Sequence, residues 1–291
     1  MKQPNLVKAF KRGLQAYQNG SKAFTLVMDK TAEKQRNNSV LHVSDLKHTM
    51  DLCPRQLFLK LHNAEKQEVE YNRKLMFSQG DINHLLAAQF IEYGLDDYWT
   101  ITGIEESVKG LGLIGRYDMS IRGKQGETYI VDFKSSRGGN FKYLDDRGAS
   151  ERDVLQVQGY LAITGYDAGI LFYIDREGQN GVRQFAVNYN SLIYDDISTR
   201  IEELQIYATN KAKTLEPSLK IRENKSDNSI YLKSDWRCGY CDYYGVSCEG
   251  DMSAEMREIS GIVAKQNEQG IYAYKEQYEP LLPLIRRLYN E

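Results

Sequence analysis

At 291 residues, 41% hydrophobic and 27% charged, the chain can bury a sizeable core and reads as one large domain with appended elements. Its net charge of −2 excludes a generally basic nucleic-acid coat while leaving room for a local basic groove. No apolar run is long enough to cross a bilayer, the longest early candidate being AFTLVM at 23–28, and no secretory signal is read, so a cytoplasmic protein without membrane association is expected.

Residues 1–43 are polar and rich in Lys, Asn and Gln, and read as a peripheral arm with one helix near Leu6 to Tyr17. Ser44 is a cap residue and predicts a helix, and Pro54 after Cys53 opens a second one, because proline fits the first turn, where its missing N–H is not needed. The stretch KLMFSQGDINHLLAAQFIEYG repeats apolar residues at helical spacing through Ile82, Leu85, Leu86 and Phe90 and stops at Gly94. Gly80 and His84 are four apart on it and share a face.

Two strands follow, LIGRYDMSIRG and ETYIVDFKSS, joined hairpin-fashion through GKQG. Side chains alternate along a strand, so Asp132 and Lys134 turn to one face while Val131 and Phe133 turn to the other. Charges on a core strand are costly to desolvate, so the pair is either a structural ion pair or the lining of a site. Residues 153–164 read as a helix with Gln156 and Tyr160 on one face, then come strands AGILFYID and VRQFAVNY, and a helix over 191–213. The order predicts an α/β fold, a mixed β-sheet flanked by helices, with a core over 44–250 and a helical tail over 251–291.

His84, Asp118, Asp132 and Lys134 fall in an order that brings them to one sheet edge. Two carboxylates and an imidazole, with the backbone carbonyl of Phe133, can hold a hard cation such as Mg²⁺ or Mn²⁺, and Lys134 can polarise an attacking water. That is the chemistry of phosphodiester cleavage. The bland alternatives are a satisfied core histidine and, for Gln156 and Tyr160, a polar helix face. Arg137, Lys142, Arg147 and Arg152 could guide phosphates or belong to a solvated loop.

All four cysteines fall into one pattern, Cys53 far upstream and Cys238, Cys241 and Cys248 spaced C-x2-C-x6-C. Without a secretory signal, thiolates so spaced suit zinc or an iron–sulfur cluster better than disulfides, with Cys53 as the distant fourth ligand.

Gly80 to His84, GRYD ending at Asp118, DFK from Asp132 to Lys134, and Gln156 to Tyr160 together resemble the PD-(D/E)XK nuclease superfamily in its RecB-like branch. With one upstream and three downstream cysteines, the chain is most similar to CRISPR-associated Cas-four-type and related viral exonucleases. The resemblance implies a restriction-endonuclease-like core with a helical region stapled by a 4Fe–4S cluster on Cys53, Cys238, Cys241 and Cys248. It implies metal ligation by His84, Asp118 and Asp132, catalytic assistance by Lys134, and a DNA path lined by Gln156 and Tyr160. The activity implied is a Mg²⁺- or Mn²⁺-dependent exonuclease acting on single-stranded DNA ends, working with CRISPR adaptation or recombination proteins, with self-assembly into a homo-oligomer left open. A DNA-end-binding module is the alternative. Two departures stand out: the last cysteine spacing is one residue longer than usual, and Phe58 replaces a hydroxyl-bearing aromatic. On this reading Lys134→Ala leaves the fold intact and removes activity.

Overall fold

The structure is a computed structural model that describes residues 3–22, 39–47, 53–68, 71–178, 181–209, 219–234, 238, 241–244, 246–248 and 261–289. The chain divides into two compact units, residues 1–52 with 70–205, and residues 53–69 with 206–291.

The first unit is a mixed α/β layer. Its five-stranded sheet has the order β1 (Trp99–Gly110), β2 (Leu113–Gly123), β3 (Thr128–Ser136), β4 (Ala168–Asp175) and β5 (Val182–Asn188). All neighbours are antiparallel except β3 and β4. A parallel pair needs a crossover, supplied here by α4 (Gly138–Arg147) and α5 (Glu151–Thr164). Helix α5 begins after Ser150 with Glu151 and Asp153 in its first turn, where carboxylates suit the positive end of the helix.

One face of the sheet carries Met119, Ile121, Val131, Phe133, Ile170 and Phe172 in a single apolar cluster with Leu6 and Ala9 of α1 (Leu6–Gln18) and Ala87 and Ile91 of α3 (Tyr71–Gly94). Each large apolar side chain buried there contributes roughly 1.5–3 kcal/mol. The predicted N-terminal helix is therefore present but is part of this core. It packs against α3 at touching distance, because a Cβ on Gly13 would collide with the Phe90 carbonyl and one on Gly94 with the Ala9 carbonyl. The helix expected from Ser44 is a 3₁₀ turn at Val43–Asp45, with the Asp45 carboxylate accepting from His42 N at 2.7 Å. AFTLVM lies outside the described residues.

The second unit holds α2 (Pro54–Leu61), with Cys53 as its N-cap and Pro54 in its first turn as expected. Its antiparallel sheet runs β6 (Leu219–Asn224), β7 (Ser229–Ser234), β8 (Ala264–Asn267) and β9 (Gly270–Ala273), followed by a 3₁₀ turn at Glu276–Leu281 and α7 (Leu282–Tyr289). Strands β8 and β9 stand where a helical tail is expected. Ile230, Leu232, Val263, Ala264, Leu281 and Ile285 form the core of this sheet. Helix α6 (Ser191–Thr209) follows β5 as expected, and residues 210–213 of the predicted helix lie outside the described residues. No helix among the described residues is long and apolar enough to cross a membrane.

Candidate active site

The site sits where two strands part. The β2–β3 ladder ends at Met119↔Val131. One further step in that register would set Asp118 directly opposite Asp132, an arrangement that like charges disfavour. Instead Phe133 N, which an unbroken sheet would bond to backbone, donates to Asp118 Oδ2 at 2.5 Å. The fork thus fixes one carboxylate by a backbone donor and leaves the second on the facing strand. His84, reaching in from α3, brings Nδ1 to 3.9 Å from the same Asp118 oxygen, with its ring 5.8 Å from that of Phe133.

The alternation along β3 is as expected. Val131 and Phe133 enter the apolar cluster, and Asp132 and Lys134 face α5. Asp132 is 3% exposed and ion-paired with Lys134. Lys134 Nζ also donates to Gln156 Oε1 at 3.2 Å and lies 3.9 Å from Asp153 Oδ1.

Burial lowers the His84 imidazole below its ordinary range against the opposing pull of Asp132, so the ring is neutral near pH 7 with a lone pair to offer. Burial raises the Asp118 carboxyl well above the usual carboxylate range, and the Asp132 charge raises it further. Burial alone would depress Lys134, but the carboxylates of Asp132, Asp153 and Asp118 outweigh it and hold the ammonium above its ordinary value. Lys134 is therefore a fixed positive charge and cannot serve as a proton acceptor.

Gln156 and Tyr160, expected to line a DNA path, are placed differently. They are 6% and 3% exposed, and their polar atoms are spent inside the protein. Gln156 Nε2 reaches Asp132 Oδ1 at 3.5 Å and Tyr160 OH at 3.3 Å, while Tyr160 OH donates to the Arg116 carbonyl at 2.8 Å. Burial pushes the Tyr160 phenol up to about 12, so it stays a donor. Both residues brace the site from within, because residues 155–161 of α5 are all buried.

Sequence reasoning missed three acids. Asp153 is the second carboxylate facing Lys134. Glu105, on β1 between the paired residues Ile104 and Glu106, adopts a positive φ of 55° and is paired with Arg116 at 2.6 Å. Burial raises its carboxyl, with Asp81 and Asp132 adding to the rise against Arg116. Asp81 adjoins Gly80 in the motif already singled out, whereas Glu105 lies on a strand that was not predicted. Arg137, Lys142 and Arg147 are exposed around α4, the last with its guanidinium 5.7 Å over the Tyr143 ring, and Arg152 is half-buried on α5.

Asp118, Asp132 and His84 are the donor types that a hard cation takes, and Asp132 Oδ2 is a buried oxygen with no hydrogen-bond partner beyond its ion pair. Among the described residues, however, no three His, Cys, Asp or Glu side chains stand grouped as a ready ligand set. The four cysteines are all free thiols of the second unit. The charges of Cys53 and Cys241 bear on Cys248, and the loop is tied to the residues after α2 by Gln67 N to Asp242 O at 2.6 Å and Ser247 Oγ to Glu65 O at 2.7 Å. Among the described residues the thiols form no ready ligand set.

The sequence model of the PD-(D/E)XK nuclease superfamily matches residues 44–248, which span every residue of the fork. The chain belongs to that superfamily. No curated protein matches it. Solved structures similar to this superfamily member include SSO0001, at 19% identity over 82% of this chain and 93% of that one, with a TM-score of 0.41. An alkaline exonuclease from Laribacter hongkongensis matches at 13% identity over 62% and 97%, with a TM-score of 0.43. A phage related exonuclease from Haemophilus somnus 129PT matches at 13% over 61% and 96%, with a TM-score of 0.38.

Proposed function

We propose that the chain is a Mg²⁺- or Mn²⁺-dependent DNA exonuclease that hydrolyses phosphodiester bonds at single-stranded ends in the cytoplasm, in the service of CRISPR adaptation or recombination. The observation that carries the reading is the convergence, at the fork between β2 and β3, of Asp118, Asp132 and a Lys134 held charged by carboxylates. A binding module has no need for a buried like-charged pair that raises one of its own carboxyls.

Asp118, Asp132, His84 and the Phe133 carbonyl would hold the cation. When bound, it would neutralise charge on the scissile phosphate and supply a water that is nucleophilic near neutral pH. Lys134 contributes a fixed positive charge and a donor toward the developing phosphate oxygens or the attacking water. Gln156 and Asp153 hold the ammonium in place, and Phe133 N keeps Asp118 aimed into the fork. The RecB-like affiliation, self-assembly and a 4Fe–4S staple on Cys53, Cys238, Cys241 and Cys248 remain proposals, the last supported by the mutual approach of the thiols.

The test is degradation of end-labelled single-stranded DNA with Mg²⁺, with Mn²⁺ and with excess chelator. Loss of activity in chelator and in Asp118→Asn is expected. Undiminished turnover in chelator, or in Asp118→Asn, would overturn the assignment.

A further inference from the structure

The proposed chemistry leaves one surface of the second unit unused. In the β6–β9 sheet, Ile221, Ile230, Leu232, Ala264 and Ile271 belong to the apolar side. Because alternate residues turn to opposite faces, the outer side is built from Arg222, Tyr231, Lys265 and Tyr272, with Tyr274 just beyond β9. The ladder sets Arg222 across from Tyr231 and Lys265 across from Tyr272. Tyr274 N bonds to the Val263 carbonyl at 3.0 Å, and Lys265 Nζ lies 5.1 Å over the Tyr274 ring. Tyr272 and Tyr274 are 44% and 46% exposed, and Arg222 is exposed as well.

No strand position on this side is acidic among the described residues. The Asp227 carboxylate, in the β6–β7 turn, is held by Ser229 Oγ at 2.6 Å and is drawn down first by that hydrogen bond and only weakly by Lys265. The side thus carries cations beside two part-exposed tyrosines, Tyr272 and Tyr274, one face of the Tyr274 ring being taken by Lys265. A ring face attracts any base, and the cations attract the phosphates between bases.

We propose that this side of the sheet is a platform for single-stranded DNA, on which Tyr272 and Tyr274 stack bases while Arg222 and Lys265 neutralise phosphates. The polymer's identity rests on the nuclease reading above; the surface is additional to it. Residues two apart on a strand are about 7 Å apart, a spacing that suits an extended single strand. In a duplex the bases are already stacked on one another, and the tyrosine rings would meet only backbone.

The experiment uses the full chain in excess chelator, so that nothing is cleaved, and measures fluorescence anisotropy of labelled oligo-dT and of a blunt duplex of equal length. Oligo-dT is expected to bind more tightly than the duplex. Tyr272→Ala with Tyr274→Ala is expected to weaken oligo-dT by about tenfold or more, since each stacked base is worth roughly 1–3 kcal/mol. The paired phenylalanine variants keep the rings and are expected to bind like the natural chain. Arg222→Gln and Lys265→Gln are each expected to lower the salt slope by about 0.7. An unchanged affinity in the paired alanine variant would overturn the proposal, as would equal weakening on duplex or a phenylalanine pair as weak as the alanine pair. Circular dichroism melts check that the alanine variants fold, and if they do not, the Lys265→Gln salt slope decides. A chain that degrades DNA in a Lys134-dependent way yet binds equally with and without the rings sinks the platform alone. A chain that binds through the rings but never degrades DNA sinks the nuclease reading alone.

Discussion

Tyr173 donates its hydroxyl to Asp153 Oδ2 at 2.8 Å, and the other oxygen of Asp153 lies 3.9 Å from Lys134 Nζ. Tyr173 is also the register partner of Lys134 across the parallel β3–β4 pair, and it accepts from Ser150 N at 3.2 Å at the entrance of α5. The neighbouring strand therefore steers a carboxylate of the helix toward Lys134.

Tyr173→Phe removes that steering while keeping the ring. One lost hydrogen bond is worth about 1 kcal/mol, so a fall in kcat of roughly five- to tenfold with little change in KM is expected. Steady-state degradation of single-stranded DNA checks this. A raised KM with unchanged kcat would instead make Tyr173 a substrate contact.

Lys134→Ala is expected to cut turnover by about a hundredfold or more, since it removes charge aimed at the reacting phosphate. The sequence-based expectation is that this variant melts nearly as the natural chain does, whereas the burial of Asp132 predicts a loss of stability. Taking away the partner leaves a charge 3% exposed without compensation, which costs about 3–5 kcal/mol. In chelator the single variant should melt well below the natural chain, and Lys134→Ala with Asp132→Asn should recover part of the loss. Equal melting of all three would show that Asp132 is not charged in the folded state.

Asp118 behaves in the opposite sense to most carboxylates of a stable protein. Its folded value is raised by burial and by Asp132, so its contribution is fully present below the unfolded value of about 3.9 and is lost as pH rises through the folded value. Asp118→Asn should therefore be more stable than the natural chain at neutral pH in chelator, and the gap should shrink as pH falls toward 4. Added Mg²⁺ should raise the melting temperature of the natural chain and leave that of Asp118→Asn nearly unmoved. Thermal unfolding across pH with and without the cation measures both effects, and destabilisation by Asp118→Asn in chelator would refute this account.

The parts of the site that were legible in the sequence lie where a strand carries charge against its apolar alternation. VDFK announces both its inner pair, Val131 and Phe133, and its charged pair, Asp132 and Lys134. The helical spacing of Gly80 and His84 goes with an imidazole on the face turned to Asp118. Asp153 was illegible because an acid in the first turn of a helix already has a sufficient local reason, the helix dipole. The reach of Tyr173 across to it follows from the β3–β4 register, which no local pattern prints. Strand β1 was missed because only Trp99 and Ile101 at its start are apolar on the inner side, while Gly103, Glu105 and Glu106 interrupt the pattern after them. Gln156 and Tyr160 were read correctly as sharing a helix face, but spacing cannot say whether that face meets solvent or a sheet.

The cysteines yield the last prediction, because the fold brings residue 53 and residues 238–248 into one unit without closing a ligand set. Burial raises the Cys241 and Cys248 thiols, and the Cys53 charge adds to both rises. Without metal, these thiols would be protonated at neutral pH and slow toward alkylating agents. A bound cluster or zinc ion needs them as thiolates, so loading should release protons and weaken as pH falls. If the staple is iron–sulfur, anaerobically purified protein is brown and carries iron and acid-labile sulfide in equal amounts, and Cys248→Ala loses colour and melts lower than the natural chain. One equivalent of zinc without sulfide would replace the cluster by a zinc site at the same residues. Metal-free protein with slow alkylation and a Cys248→Ala variant that melts within about 1 kcal/mol of the natural chain would mean that the hydrogen bonds from Gln67 and Ser247, not a metal, join the loop to the residues after α2.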